Sequence, residues 1–197
     1  MSYVRRILEF DKENLLDILH YLVKEISEIS GLQDVRVYLE DMRGGALNCL
    51  YTPEGELERK GARIPIQRRD NSLVKSYLES TILNGVVVGA GTDDLHREWY
   101  ERKGLVSSAI FPLLDAGHTI GVVSVDASHD FGEVLDRKHL EEIRQLLNKV
   151  MPVLARAHRF NQKMMLNRHL DRLRKRDAAR TLLQGAFELD FSLDMAS

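Results

Sequence analysis

The chain has 197 residues, 44% hydrophobic and 29% charged, with a net charge of −2. At roughly 150 residues per domain this is one compact unit with an appendage, and the balance excludes a collagenous, mucin-like or largely disordered chain. No apolar run approaches the ~18 residues of a membrane-spanning helix, and Met1 to Glu9 break into charge before a signal-peptide core forms, so a cytoplasmic location is expected. The one cysteine, Cys49, leaves no internal disulfide and no cysteine-rich zinc site.

From Asp11 to Ser30, the apolar residues Leu15, Leu16, Ile18, Leu19, Leu22, Val23, Ile26 and Ile29 recur at helical spacing, with Asp11 as cap, Phe10 as staple on Leu15 and Gly31 as stop. Val35 to Glu40 alternates as a strand, and Gly44-Gly45 turns into a second strand, Ala46 to Tyr51. Ala62 to Gln67 reads as a third strand, Ser72 to Glu79 as a short capped helix, and Gly85 to Gly89 as a further strand. Asp93 to Lys103, with Leu95, His96, Trp99 and Tyr100, reads as a brief helix or ordered loop. Leu105 to Leu114 and His118 to Ala127 flank Asp115-Ala116-Gly117 as a hairpin.

From Asp136 the apolar ladder Leu140, Ile143, Leu147, Val150, Leu154, Ala157 and Met164 predicts a long helix, interrupted by Asn161 and bent near Pro152. The cap-and-staple pattern returns in Leu135 to Leu140. Unbroken to Asp177, this helix would run about 42 residues and ~60 Å, more than one small domain can cover. A homodimer is therefore expected through the first and last helices, with Leu15, Leu19, Leu22, Ile143, Leu147, Val150, Leu154 and Ala157 at its interface. Arg156 to Arg180 carries nine Lys/Arg against two acids, +7 against −9 elsewhere. A solvated helix face is the simpler explanation, and Arg172 to Arg176 lacks the aromatic interleaving and recognition-helix context of base readout, which argues against nucleic acid.

The hairpin Val106-Ser107-Ser108-Ala109-Ile110-Phe111-Pro112-Leu113-Leu114, the polar turn Asp115 to His118, the return Thr119-Ile120-Gly121-Val122-Val123-Ser124-Val125-Asp126, then Phe131 and a leucine-rich helix, sit within a characteristic order of elements. This pattern resembles the GAF domain, a small-molecule sensor module of signalling proteins, over about Asn14 to Arg159. The resemblance implies an α+β fold: a central antiparallel sheet of five or six strands with helices on both faces, plus a long C-terminal helix. The first and last helices would pack on one face. The other face and its loops would enclose a pocket for a cyclic nucleotide, a tetrapyrrole, a small metabolite or nothing. Carried onto matching segments, that geometry frames the pocket with Ile66, Tyr77, Thr92, His96, Trp99, Ile110, Ser124 and Asp126. Gly121 would let its strand pass close to a neighbour, and Pro112 suits a strand edge or bulge.

The Asn-Lys, Phe, Asp-Glu pattern of the cyclic-nucleotide class is missing from the corresponding strand and loop. Cys49 falls on the second strand, not after the fourth where that family attaches a bilin. The methionine-sulfoxide reductases of this fold use several cysteines because a sulfenic acid needs a resolving thiol, and this chain has one. A single His96 among aromatic residues is more simply a packed loop than a haem or metal ligand. Asp93 and Asp94 read as caps, and the scattered His20, His118, His129, His139, His158 and His169 have no metal spacing.

The expected organisation is a sensor domain over 1–159, a helical coiled-coil linker over 160–180, and a tail over 181–197 that begins a downstream output domain. The expected function is non-catalytic: a dimeric regulatory domain that takes a small ligand, or has a degenerate pocket, and signals through its C-terminal helix to an output domain or partner kinase or regulator. The alternative is a nucleic-acid or protein-partner binding dimer using the basic helix. Neither a cofactor nor a metal is named by these residues.

Overall fold

A computed structural model describes residues 15–51, 63–87, 100–101, 103–128 and 133–194, with side chains through 176. The chain divides into two units, Met1–Arg159 and Phe160–Ser197.

In the first unit, helix α1 (Leu15–Ser30) buries Leu15, Ile18, Leu19, Leu22, Val23 and Ile26 along one stripe. It closes at Gly31, whose φ of +70° suits glycine and whose amide donates to Ser27 O at 2.9 Å. The expected cap Asp11 and staple Phe10 lie outside the described residues. Strands β1 (Asp34–Glu40), β2 (Ala46–Tyr51), β3 (Arg63–Pro65), β4 (Leu83–Val87), β5 (Ser107–Asp115) and β6 (His118–Ala127) form one antiparallel sheet in the order β3-β2-β1-β6-β5-β4. In the β1–β2 hairpin, Asp41 Oδ1 accepts from Arg43 N and Gly45 N, and Oδ2 accepts from Arg63 Nη2 at 3.0 Å on β3. The two-residue Ala116–Gly117 turn, with φ of +48° and +86°, closes β5 onto β6.

Helix α2 (Ser72–Glu79) matches its expected span because Asn71 Oδ1 accepts from Leu73 N at 2.9 Å and Val74 N at 3.4 Å. β4 begins two residues before the expected Gly85. That glycine, with φ of +83°, sits in a register slip between Asn84 and Val86 instead of opening the strand.

Period-two alternation gives the sheet two different faces. Val35, Val37, Leu39, Ala109, Phe111, Leu113, Val123 and Val125 join the buried sides of α1 and of the last helix in the main core. Tyr38, Leu47, Cys49, Ile64, Ile110 and Val122 meet Leu73 and Val74 of α2 in a second cluster on the opposite face. At Gly121, a Cβ would lie 2.2 Å from Tyr38 O and 3.0 Å from Leu39 Cα, so β1 and β6 can approach as they do only with glycine there. Pro112 pairs with Val122 on β6 but lies past Ile110, where β4 pairing stops, so its missing N–H costs no bond to β4.

The last helix, α3 (Arg137–Asp194), starts at a cap in which Asp136 Oδ1 accepts from His139 N at 2.8 Å. It continues through Pro152 and does not end there, because Pro152 is exposed and the carbonyl it leaves unbonded can turn to water. Helix also continues through the segment expected as a tail, to Asp194.

The residues expected at the dimer interface lie in the main core. Leu15, Leu19, Leu22, Ile143, Leu147, Val150, Leu154 and Ala157 are all buried within a single chain, as parts of one core cluster. Over 143–157 the apolar ladder joins α1 and the sheet in that cluster. None of the described helices is long and apolar enough to cross a membrane.

Candidate functional site

The second face of the sheet carries a buried polar group beside its apolar cluster. Arg36 and Tyr38 alternate onto this face from β1, Ser108 from β5, and Ser124 and Asp126 from β6, with Arg36 opposite Ser124 and Ser108 opposite Asp126 across the strands. All five are buried, as is Tyr100, which precedes Gly104 and β5. Arg36 Nη2 stands 3.6 Å from Asp126 Oδ2, and Arg36 Nη1 donates to Tyr38 Oη at 3.4 Å. Ser108 Oγ donates to Asp126 Oδ1, and Ser124 Oγ donates to Oδ2 at 3.3 Å. The Arg36 guanidinium lies 5.1 Å from the centre of the Tyr100 ring, a cation–π arrangement.

The electrostatics follow from burial. Burial pushes the Asp126 carboxyl above the ordinary carboxylate range, against the opposing pull of Arg36 and the two serine hydroxyls. Burial also opposes charge on Arg36, but Tyr38 and Asp126 outweigh it and hold the guanidinium above its ordinary value. Tyr38 and Tyr100 are pushed up by burial, so both phenols stay protonated and can donate. The group therefore offers a fixed cation, a carboxylate and hydroxyl donors on a dry floor. That chemistry suits orienting a polar ligand.

Of the expected pocket residues, Ser124 and Asp126 fall in this group. Ile66, Tyr77 and Ile110 belong to the apolar cluster on the same face. The Tyr77 phenol is pushed up to about 12 by burial and by its hydrogen bond to Glu40. Thr92, His96 and Trp99 lie outside the described residues. Arg36 and Tyr38 are not among the expected pocket residues, although the alternation Val35-Arg36-Val37-Tyr38-Leu39 puts both on one face of β1, the face that α1 and α3 leave free. Only the tertiary structure shows that the Arg36 charge is covered.

On the other face, a shallow cavity of about 320 Å³ is bordered by His20, Lys24, Glu28, Gln33 and Tyr51. Lys24 and Glu28 are more than half exposed there, so it lacks the desolvated charges of the Arg36 group. Among the described residues, no three His, Cys, Asp or Glu side chains gather as a metal site.

The fold and the comparisons agree on the class. A model of the GAF domain family matches residues 14–157, and the chain belongs to that family. A methyl-accepting chemotaxis protein (residues 122 to 287) is similar with a TM-score of 0.59 and 16% identity, over 79% of this chain and 96% of that one. The GAF domain of an Acinetobacter phosphoenolpyruvate-protein phosphotransferase is similar with a TM-score of 0.56 and 16% identity, over 80% and 96%. A free methionine-R-sulfoxide reductase from Neisseria meningitidis, solved with its substrate, reaches 0.54 and 21% identity, over 78% and 86%. At these identities the likeness is one of fold. No curated protein matches the chain.

Proposed function

We propose that residues 1–159 form a regulatory sensor domain that holds a small polar ligand over Arg36, Tyr38, Ser108, Ser124 and Asp126. Ile66, Tyr77 and Ile110 would supply an apolar wall, and Thr92, His96 and Trp99 remain the expected roof. The observation that carries this reading is the buried Arg36–Asp126 pair. For stability alone, well-packed apolar residues serve as well or better than a buried ion pair, so its presence favours a role in recognition. The reading is cytoplasmic and non-catalytic. In support of the latter, Cys49 is the one cysteine of the sequence, and its thiol is buried on β2 and bonded toward Tyr51 O.

Output would pass along α3 to a downstream domain or to a partner kinase or regulator. The methyl-accepting chemotaxis protein among the similar structures supports that direction. A homodimer belongs to this reading, with its surface moved to Phe160, Met164, Met165, Leu166 and Leu170, which are 37–59% exposed. The test is native mass spectrometry of the full chain for a co-purified molecule, repeated on the R36M/D126L variant. Loss of the bound molecule in a folded variant supports the reading. A ligand retained by that variant refutes this floor as its site.

A second reading uses the basic stretch 156–180 to bind nucleic acid. It rests on the exposed Arg168, Arg172, Arg174, Lys175 and Arg176. Such binding would weaken steeply with salt, so a salt-insensitive or absent interaction with mixed-sequence DNA and RNA removes it.

A further inference from the structure

We propose that Asn84 couples the candidate site to the start of α3, acting as a latch between the edge strand β4 and the segment that caps the helix. This rests on the sensor reading above and deepens it by naming how the site is linked to the output helix.

Asn84 Nδ2 donates to Leu135 O at 2.8 Å, and Asn84 Oδ1 accepts from Val134 N and from Leu135 N, each at 3.1 Å. One amide side chain thus bonds the approach to α3 much as a peptide group of a neighbouring strand would. On one side of the latch, Leu83 and Val86 stand opposite Ile110 and Ser108, and both pack into the cluster beneath the candidate site. On the other side, Leu135 is buried in the main core and Asp136 caps the helix. Ser108 in turn bonds Asp126. A line therefore runs from Asp126 through Ser108 to its β4 partner Val86, along the chain through Gly85 to Asn84, and by hydrogen bonds to Leu135 beside the cap.

The latch sits at an irregularity in the ladder, where pairing slips between Asn84 and Val86 and the regular backbone bonding of β4 to β5 is interrupted. The amide bonds are directional and weaken steeply when misaligned. A displacement of β4 is therefore either passed to Leu135 or costs hydrogen bonds. Apolar contacts alone would let it slide.

The test needs no ligand. Hydrogen exchange at the amides of 137–143 is measured in the full chain, in S108A, in N84A and in S108A/N84A. In the native background S108A should change exchange there by about threefold or more, in the range of measured couplings along such networks, and in the N84A background by a clearly smaller factor. Equal responses in the two backgrounds, or no response in either, overturn the proposal. N84D keeps the acceptor and loses the donor, so it should show a reduced response, and an undiminished response there overturns the proposal even if N84A fails to fold. Because no ligand enters, a failure here is distinct from a failure to find a ligand, which the R36M/D126L comparison reads.

Discussion

Arg36 Nη2 lies 3.6 Å from Asp126 Oδ2, with both side chains buried on the face of the sheet that α1 and α3 leave free. Removing one partner strands the other charge in a dry site. R36A and D126A should each lower unfolding free energy by about 3–5 kcal/mol, whereas the apolar pair R36M/D126L should cost much less than either. Urea denaturation of the three variants checks this. A double variant as unstable as the worse single one would mean that the pair stabilises the fold beyond its own charges.

The same burial predicts a pH signature. Asp126 has its folded-state pKa raised above the ordinary 3.8 by burial, so the native state holds this proton more tightly than the unfolded chain does. Its contribution to stability is largest below that ordinary value and is lost as pH rises through the folded value. Relative to D126N, the native protein should lose stability on going from about pH 3.5 to neutrality, measured by urea unfolding at each pH.

His158 behaves in the opposite sense. Burial, with Arg159 nearby, lowers its pKa from 6.5 against the raising effect of its bond to the Glu40 carbonyl. The native state prefers the neutral ring, so stability is full above 6.5 and falls as pH drops through the depressed value. H158Q should flatten the acid side of the Tm-against-pH curve below about pH 6.5. An unchanged slope would mean that other groups set acid stability.

Gly121 has no room for a side chain, since its Cβ would meet the backbone oxygen of Tyr38 at 2.2 Å. Backbone cannot rotate away as a side chain can, so β1 and β6 would have to separate. G121A should cost about 3 kcal/mol or more, at or above the usual range for overpacking, read from thermal or urea unfolding. A loss under about 1 kcal/mol would show that the strands part easily.

Leu154 and Leu166 separate folding from association. Leu154 is fully buried within one chain, so L154A should destabilise by about 2–5 kcal/mol without changing the mass in sedimentation. Leu166 is 48% exposed. L166E should leave the unfolding of the first unit unchanged and shift a dimer toward monomer. A native chain that sediments as a monomer at tens of micromolar removes the dimer.

Local chemistry is why so much of the fold was readable from the amino acids. Asn71 caps α2 and Asp136 caps α3 through amides three or fewer residues away, and Ala116–Gly117 makes its own turn, so no distant contact is needed to place them. Alternation on β1, β5 and β6 likewise assigns each side chain to a face. What surrounds that face is a different matter, because it depends on strands far apart in the chain. Arg36 is buried only once β6 brings Asp126 beside it, and Asn84 becomes a link only because residues 134–135, some fifty positions away, cross the edge of β4. The ladder from Ile143 to Ala157 shows the same limit: its period predicts a buried stripe, but only the tertiary structure shows that α1 and the chain's own sheet meet it in the main core.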